Sequence, residues 1–281
     1  MLHGNTYRWR ALAALTVVVM LVALMAVLVG AQPTQAQGQV ESMSNFRVLP
    51  PSSNPYGLSY SQWSVKWWQW AIGTPYSKSP LNSNLKPAAP CGTDQSGPVF
   101  FLGGALGPGD NVHRDCAVPL GKALLMPIIN VEWDEEGVTT PLTVVQLGQT
   151  AKSITDHTTD RSITVDGVPI PDNQIYRIPS PVFFTYTMSA TDNLYNLKCT
   201  GTLNPKCRDS NGPVNFPGLI CAFGKCTAIA MGDGYYVMLA PLTAGDHVIH
   251  FHGRFTTEFD GVQDITYHLC VGKTTCNPIP S

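Results

Sequence analysis

"AGDHVIHFHGRFTTEFDGVQDITYHLC", residues 244–270, reads as two strands joined by a turn, and it sets the fold class. Side chains alternate between faces along a strand. His247, Ile249, Phe251 and Phe255 therefore share one face, and Val248, His250, His252 and Arg254 the other. In the second half Ile265, Tyr267 and Leu269 form the apolar set, leaving Thr266, His268 and Cys270 outward. Both apolar sets carry odd numbers, so opposed residues must sum to an even number if one face is to be buried. A two-residue Asp260-Gly261 turn gives an odd sum. A three-residue loop with a bulge restores the parity and sets His268 opposite Arg254, diagonal to His252.

Strand signals recur on either side of this hairpin. "GPVFFLGGAL", "KALLMPIINVEW", "SITVDGVPI", "PVFFTYTM" and "GYYVMLAPL" are apolar, β-branched or aromatic runs separated by turn residues. Pro127 marks an edge position or a bulge, and Asp166-Gly167 a hairpin turn. The expected fold is mainly β, an antiparallel sandwich of jelly-roll or immunoglobulin-like type. "TPLTVVQLGQTAKSITDHTTD" (140–160) suits a helix. Residues 190–227 hold four cysteines and many turn formers, which predicts a disulfide-pinned insertion.

One helix precedes the strands. In "SYSQWSVKWWQWAIG" (59–73) Ser59 and Gln62 form a capping-box pattern, and Gly73 with Pro75 beyond it is a stop signal. Tyr60, Trp63, Trp67 and Trp70 fall on one face; Val65, Trp68 and Ile72 fall on the opposite side. A helix apolar around most of its circumference is a buried one. Trp68, off the main stripe, is the ring left to stack on a ligand.

Residues 1–36 carry the marks of an export signal. Arg8 and Arg10 precede an apolar run from Ala11 to Ala31, and small residues suited to cleavage end at Ala31 or Ala36. If uncleaved, the run is long enough to anchor the chain in a membrane. Residues 37–58 read as a polar lead-in and 59–281 as a single β-rich domain. All eight cysteines lie after the signal, which in an exported chain implies disulfides. Eight cysteines allow on the order of a hundred connectivities. The close pairs Cys199/Cys207, Cys221/Cys226 and Cys270/Cys276 would each close a short loop, leaving Cys91 and Cys116; zinc on Cys221 and Cys226 is the competing reading. Charged residues make up 13% and the net charge is −2, which gives no electrostatic footprint for nucleic acid.

Two constellations can carry chemistry. His250, His252 and His268 share the outer face of the hairpin, and His-x-His on a strand presents two imidazoles to one zinc or other divalent metal. Glu258 or Asp264 would complete that set. "NVEWDEEG" (130–137) places four carboxylates in five positions, and Glu132 and Asp134 point the same way if the strand continues. They suit acid–base work or calcium; otherwise they form a solvated acidic loop. No Gly-x-Ser-x-Gly, His-Glu-x-x-His or phosphate-binding Gly loop occurs.

Three stretches taken together resemble a group of hypothetical secreted bacterial proteins: "YSQWSVKWWQWAIGTP", "CGTDQSGPVFFLGG…RDCAVPLGKALLMPIINVE" and "LTAGDHVIHFHG…QDITYHLCV". In that group a WWQW-type helix comes first and a Gly-x-His-x-Ile-His-Phe strand near the end, with Gly often standing at the position of His252. The resemblance implies a Cys91–Cys116 bridge and one β-rich domain, and it carries no activity. The missing catalytic motifs and low charge point to a non-catalytic cell-surface or secreted domain that binds a glycan or envelope polymer. The alternatives are a metal-dependent hydrolase or oxidoreductase on the histidine cluster, and a metal-free enzyme on Glu132 and Asp134.

Overall fold

The computed structural model describes residues 45–281 except 86–87, 106–108, 257–260 and 277–281. The export signal, the start of the lead-in and Glu258 lie outside the described residues.

Helix α1 (Tyr60–Gly73) starts as its sequence predicts. The Ser59 side chain accepts from Gln62 N–H, and Gln62 Oε1 accepts from Ser59 N–H at 2.9 Å. Tyr60, Trp63, Trp67 and Trp70 are all buried. Three indoles also find backbone acceptors: Trp63 donates to Pro55, Trp67 to Leu102 and Trp70 to Thr93. Ile72, on the opposite side, packs into a separate cluster with Phe184, Tyr186 and Met188. The helix is thus gripped from two sides, and the Trp stripe is core.

The strands in chain order are β1 (Val99–Phe101), β2 (Gly109–Val118), β3 (Ala123–Trp133), β4 (Thr158–Val165), β5 (Val168–Pro169), β6 (Tyr176–Arg177) and β7 (Phe184–Ser189). They continue as β8 (Lys198–Thr200), β9 (Lys206–Arg208), β10 (Pro213–Val214), β11 (Ile220–Ala222), β12 (Lys225–Leu239), β13 (Gly245–Phe255) and β14 (Val262–Val271). One sheet runs β1-β3-β12-β11, with β6 and β7 also paired to β12; a second runs β2-β14-β13-β4-β5. Leu124, Met126 and Ile128 of the first meet Ile249, Phe251, Ile265 and Leu269 of the second in one core. Helix α1 covers the other face of the first sheet, over Ala123, Leu125 and Met238. The mainly β sandwich with a buried Trp helix is as expected. Its pairing is not wholly antiparallel: β1–β3 and β2–β14 are parallel. Between β1 and β3 the chain visits the second sheet as β2, so it re-enters the first sheet in its original direction.

Helix α2 (Val144–Asp156), capped by a Thr143–Gln146 box, packs on β12 and β3. Asp166-Gly167 makes the expected turn, both residues at positive φ, 51° and 78°. Residues 190–227 form a small sheet, β8-β9-β10, plus β11. Four disulfides join Cys91–Cys116, Cys199–Cys207, Cys221–Cys226 and Cys270–Cys276. Cys221 and Cys226 hold each other, not zinc. Four bridges fit an oxidising compartment, and no helix among the described residues is long and apolar enough to cross a membrane.

β3 carries the feature that positions the site. Pro127 pairs with Tyr236 and Ile129 with Tyr235, so Ile128 is an extra residue, a bulge. Proline offers no N–H to an interior ladder, which is where bulges form. Before it, even-numbered side chains enter the sandwich core. After it the order reverses: Ile129 packs against Gly253 of β13, and Asn130, Glu132 and Asp134 turn towards α1 and β7.

Candidate binding site

β1 pairs with β3 only as far as Leu125. Beyond it, at the edge of Pro127–Trp133, lies a cavity of about 560 Å³ whose walls include Trp67, Trp68, Ala71, Ile129, Glu132 and Leu194. That size and a mostly apolar lining are typical of small-molecule sites.

Glu132 stands on the cavity wall and Asp134 behind it. Tyr195 Oη lies 2.9 Å from Asp134 Oδ2 and 3.2 Å from Glu132 Oε2. Tyr186 donates to the same Asp134 oxygen, and Glu136 N–H donates to Oδ1 at 2.7 Å. Burial, with the neighbouring Asp134 charge adding to it, raises the Glu132 carboxyl well above its ordinary pKa. Burial raises Asp134 too, opposed by the donors from Tyr186, Glu136 and Tyr195. Glu132 is thereby raised further than Asp134, whose donors make it the better supported anion.

Among the described residues, Glu132 Oε1, Trp68 Nε1 and Arg161 Nε are sealed side-chain atoms with no partner within 3.5 Å, although the Trp68 indole is close enough to the Tyr236 hydroxyl to lower its pKa. Such atoms cost roughly 1–3 kcal/mol each. Two of the three belong to residues on one cavity wall. Gly232 pairs with Glu132 across the ladder, and a Cβ at 232 would lie 3.1 Å from Trp68 Nε1. Paired residues hold their Cβ atoms about 5 Å apart on one face, so the indole and the Glu132 side chain lie on the same face of the sheet.

The acidic stretch is therefore not a solvated loop: Asp134 and Glu135 are buried, and Glu135 Oε1 accepts from Leu142 N–H at 2.6 Å. The histidines do not converge. The β13–β14 connection runs from Thr256 to Gly261, longer than three residues, and closes with Phe255 N–H on Gly261 O. That preserves the expected parity but slides the register, setting His268 opposite Val248 and not Arg254. His250 Nε2 meets Asp264 at 2.6 Å, and His252 Nδ1 lies 4.0 Å from the same oxygen. His268 meets Asp115 at 2.9 Å and neighbours the Cys270–Cys276 bridge. Among the described residues, His250, His252 and Asp264 do not bring three ligand atoms within 4.8 Å of one another. His268 groups only with Cys270 and Cys276, whose sulfurs are bonded together. Buried His247 is satisfied by Asp166 and Thr243.

Tyr186, Tyr195 and Gly232 escape the sequence reading. The tyrosines join the site only through folding, but "GDGYY" held a signal for Gly232, since glycine inside a strand marks a close approach. Comparison with protein-family models and with curated proteins finds no match.

Proposed function

We propose that this chain is an exported, non-catalytic binding protein that holds a small, largely apolar ligand in the cavity beside α1. The observation that carries the reading is the cavity itself, about 560 Å³ and mostly apolar, opening beside α1 where β1 stops pairing with β3. A concave, mostly apolar site of this size with a few polar residues on its walls, Asn130, Glu132 and Gln263 among them, is the usual form of a small-molecule site. The leader-like residues 1–36 and the four disulfides support export from a bacterial cell to its surface or surroundings. A glycan or envelope polymer fits less well, because the lining offers few polar groups for its many hydroxyls.

Unequal carboxyls also suit acid–base chemistry, but Asp134 lies behind Glu132 and is absent from the cavity wall. It supports Glu132 and does not reach a ligand. The test is titration of the neutral dye Nile red into protein exported to an oxidising compartment. One dye per chain is expected, with affinity at least tenfold weaker in Leu194→Trp, which fills the cavity. No binding, or unchanged binding in a folded Leu194→Trp, overturns the reading.

A further inference from the structure

We infer that the tip of the β11–β12 hairpin docks on an anionic lipid bilayer, the Phe223 ring entering the interface and nearby cations meeting the headgroups. Ala222 pairs with Lys225, so Phe223 and Gly224 form a two-residue turn, at φ 51° and 75°. Asp166-Gly167 builds a turn with the same signature, 51° and 78°, from the kind of residue that tolerates positive φ. Phenylalanine suits that backbone poorly, and its ring joins no core, since it lies wholly in solvent. Neither turn nor packing accounts for it; an apolar partner outside the chain does. Ile220 and Leu203, exposed cross-strand neighbours, extend the apolar surface down one side.

The tip is held rigidly. Cys221 and Cys226, the next pair in, are disulfide-bonded. Ala190 ties the turn to β8: its N–H donates to Gly224 O at 2.9 Å, and its carbonyl accepts from Cys199 N–H at 2.8 Å. Lys198 therefore borders the turn, with Lys206 and Arg208 on the adjoining strand and Lys225 in the hairpin itself. All four cations are exposed, and none makes an ion pair among the described residues. The acids nearby are occupied: Asp192 accepts from Ser77, and Asp209 from Asn211 and Gly212. Lys198 and Arg208 stand directly opposite each other, a destabilising arrangement that an anionic surface relieves. An apolar tip ringed by unpaired cations matches a lipid surface. A soluble polyanion would leave the ring idle, and a protein partner needs broader contact than one protruding turn gives. None of these residues lines the cavity beside α1, so this inference stands apart from the reading above.

The test is co-sedimentation of protein exported to an oxidising compartment with vesicles of phosphatidylcholine, alone or mixed equally with phosphatidylglycerol. The wild-type chain should bind the anionic vesicles at least tenfold more tightly, and high salt should weaken that binding. Phe223→Asn gives the turn the residue it prefers, so it should fold at least as well. It should nonetheless bind anionic vesicles at least tenfold more weakly. Lys198→Gln combined with Lys225→Gln should do the same. In Phe223→Trp the added indole should shift its emission to the blue on anionic vesicles, beyond any change in the wild-type chain. Nile red binding should be unchanged in all these variants, and Leu194→Trp should keep its vesicle binding, so either reading can fail without the other. If folded Phe223→Asn binds anionic vesicles as the wild-type chain does, the tip is not the docking point and the inference fails. If soluble polyphosphate binds as tightly as the vesicles and Phe223→Asn leaves that unchanged, the cations serve a polyanion and the bilayer assignment is overturned.

Discussion

Gly232 faces Glu132 across the β3–β12 ladder, and the Trp68 indole occupies the space where a side chain at 232 would go. Three elements are locked into one wall by that absence of a Cβ. Gly232→Val should push the indole from its seat, since its Cβ would meet Nε1 at 3.1 Å and Cδ1 at 3.3 Å. The expected cost is about 1–3 kcal/mol, with a changed Trp emission maximum and Nile red affinity reduced tenfold or more. Unchanged emission and dye affinity would show that the indole does not depend on the glycine.

Glu132 makes stability depend on pH in an unusual direction for a carboxyl. Its pKa is raised on folding by burial. Its contribution is then fully present below the unfolded value and is lost as pH rises through the folded one. Glu132→Gln, which cannot ionise, should melt higher than the wild-type chain at pH 7.5, the difference closing by pH 4. Parallel thermal melts across that range decide it; a constant difference would mean that ionisation plays no part.

Tyr186 has the opposite signature. Its hydroxyl donates to Asp134 Oδ2 and supports the ionised form. Tyr186→Phe should cost about 1–3 kcal/mol at neutral pH and less in acid, where Asp134 is protonated and needs fewer donors. Urea denaturation at pH 7.5 and pH 4 measures the difference, and an equal loss at both would assign the effect to packing.

The disulfides should differ in weight. Cys91 and Cys116 are 25 residues apart, against five for Cys221 and Cys226. Loop entropy gives about 3.5 kcal/mol for the first and about 2 kcal/mol for the second. Paired Cys→Ala variants, compared by denaturant midpoint, should rank in that order; the reverse order would mean that local strain outweighs chain entropy.

Much of the architecture was legible because local rules and tertiary demands agree. Ser59 with Gln62 starts α1 where the capping box says, and the odd-numbered apolar residues of 244–270 line the core. The register of that hairpin was not legible, since parity excludes half the alignments but cannot choose among the rest; His268 consequently sits against Asp115 and not beside His252. Glu132 and Asp134 were legible as a pair sharing one direction. Which direction depends on the single extra residue at Ile128 and on tyrosines more than fifty positions away, and neither leaves a mark in the spacing of the acids themselves.

That extra residue also makes the site a matter of reading frame. A chain of the same architecture lacking one residue near Ile128 would keep its sandwich and its helix, yet every side chain beyond would change sides. Its acids would be driven into the hydrocarbon interior and selected against, while Val131 and Trp133 would look out at α1. The wall of this cavity therefore hangs on a single residue's worth of register in β3.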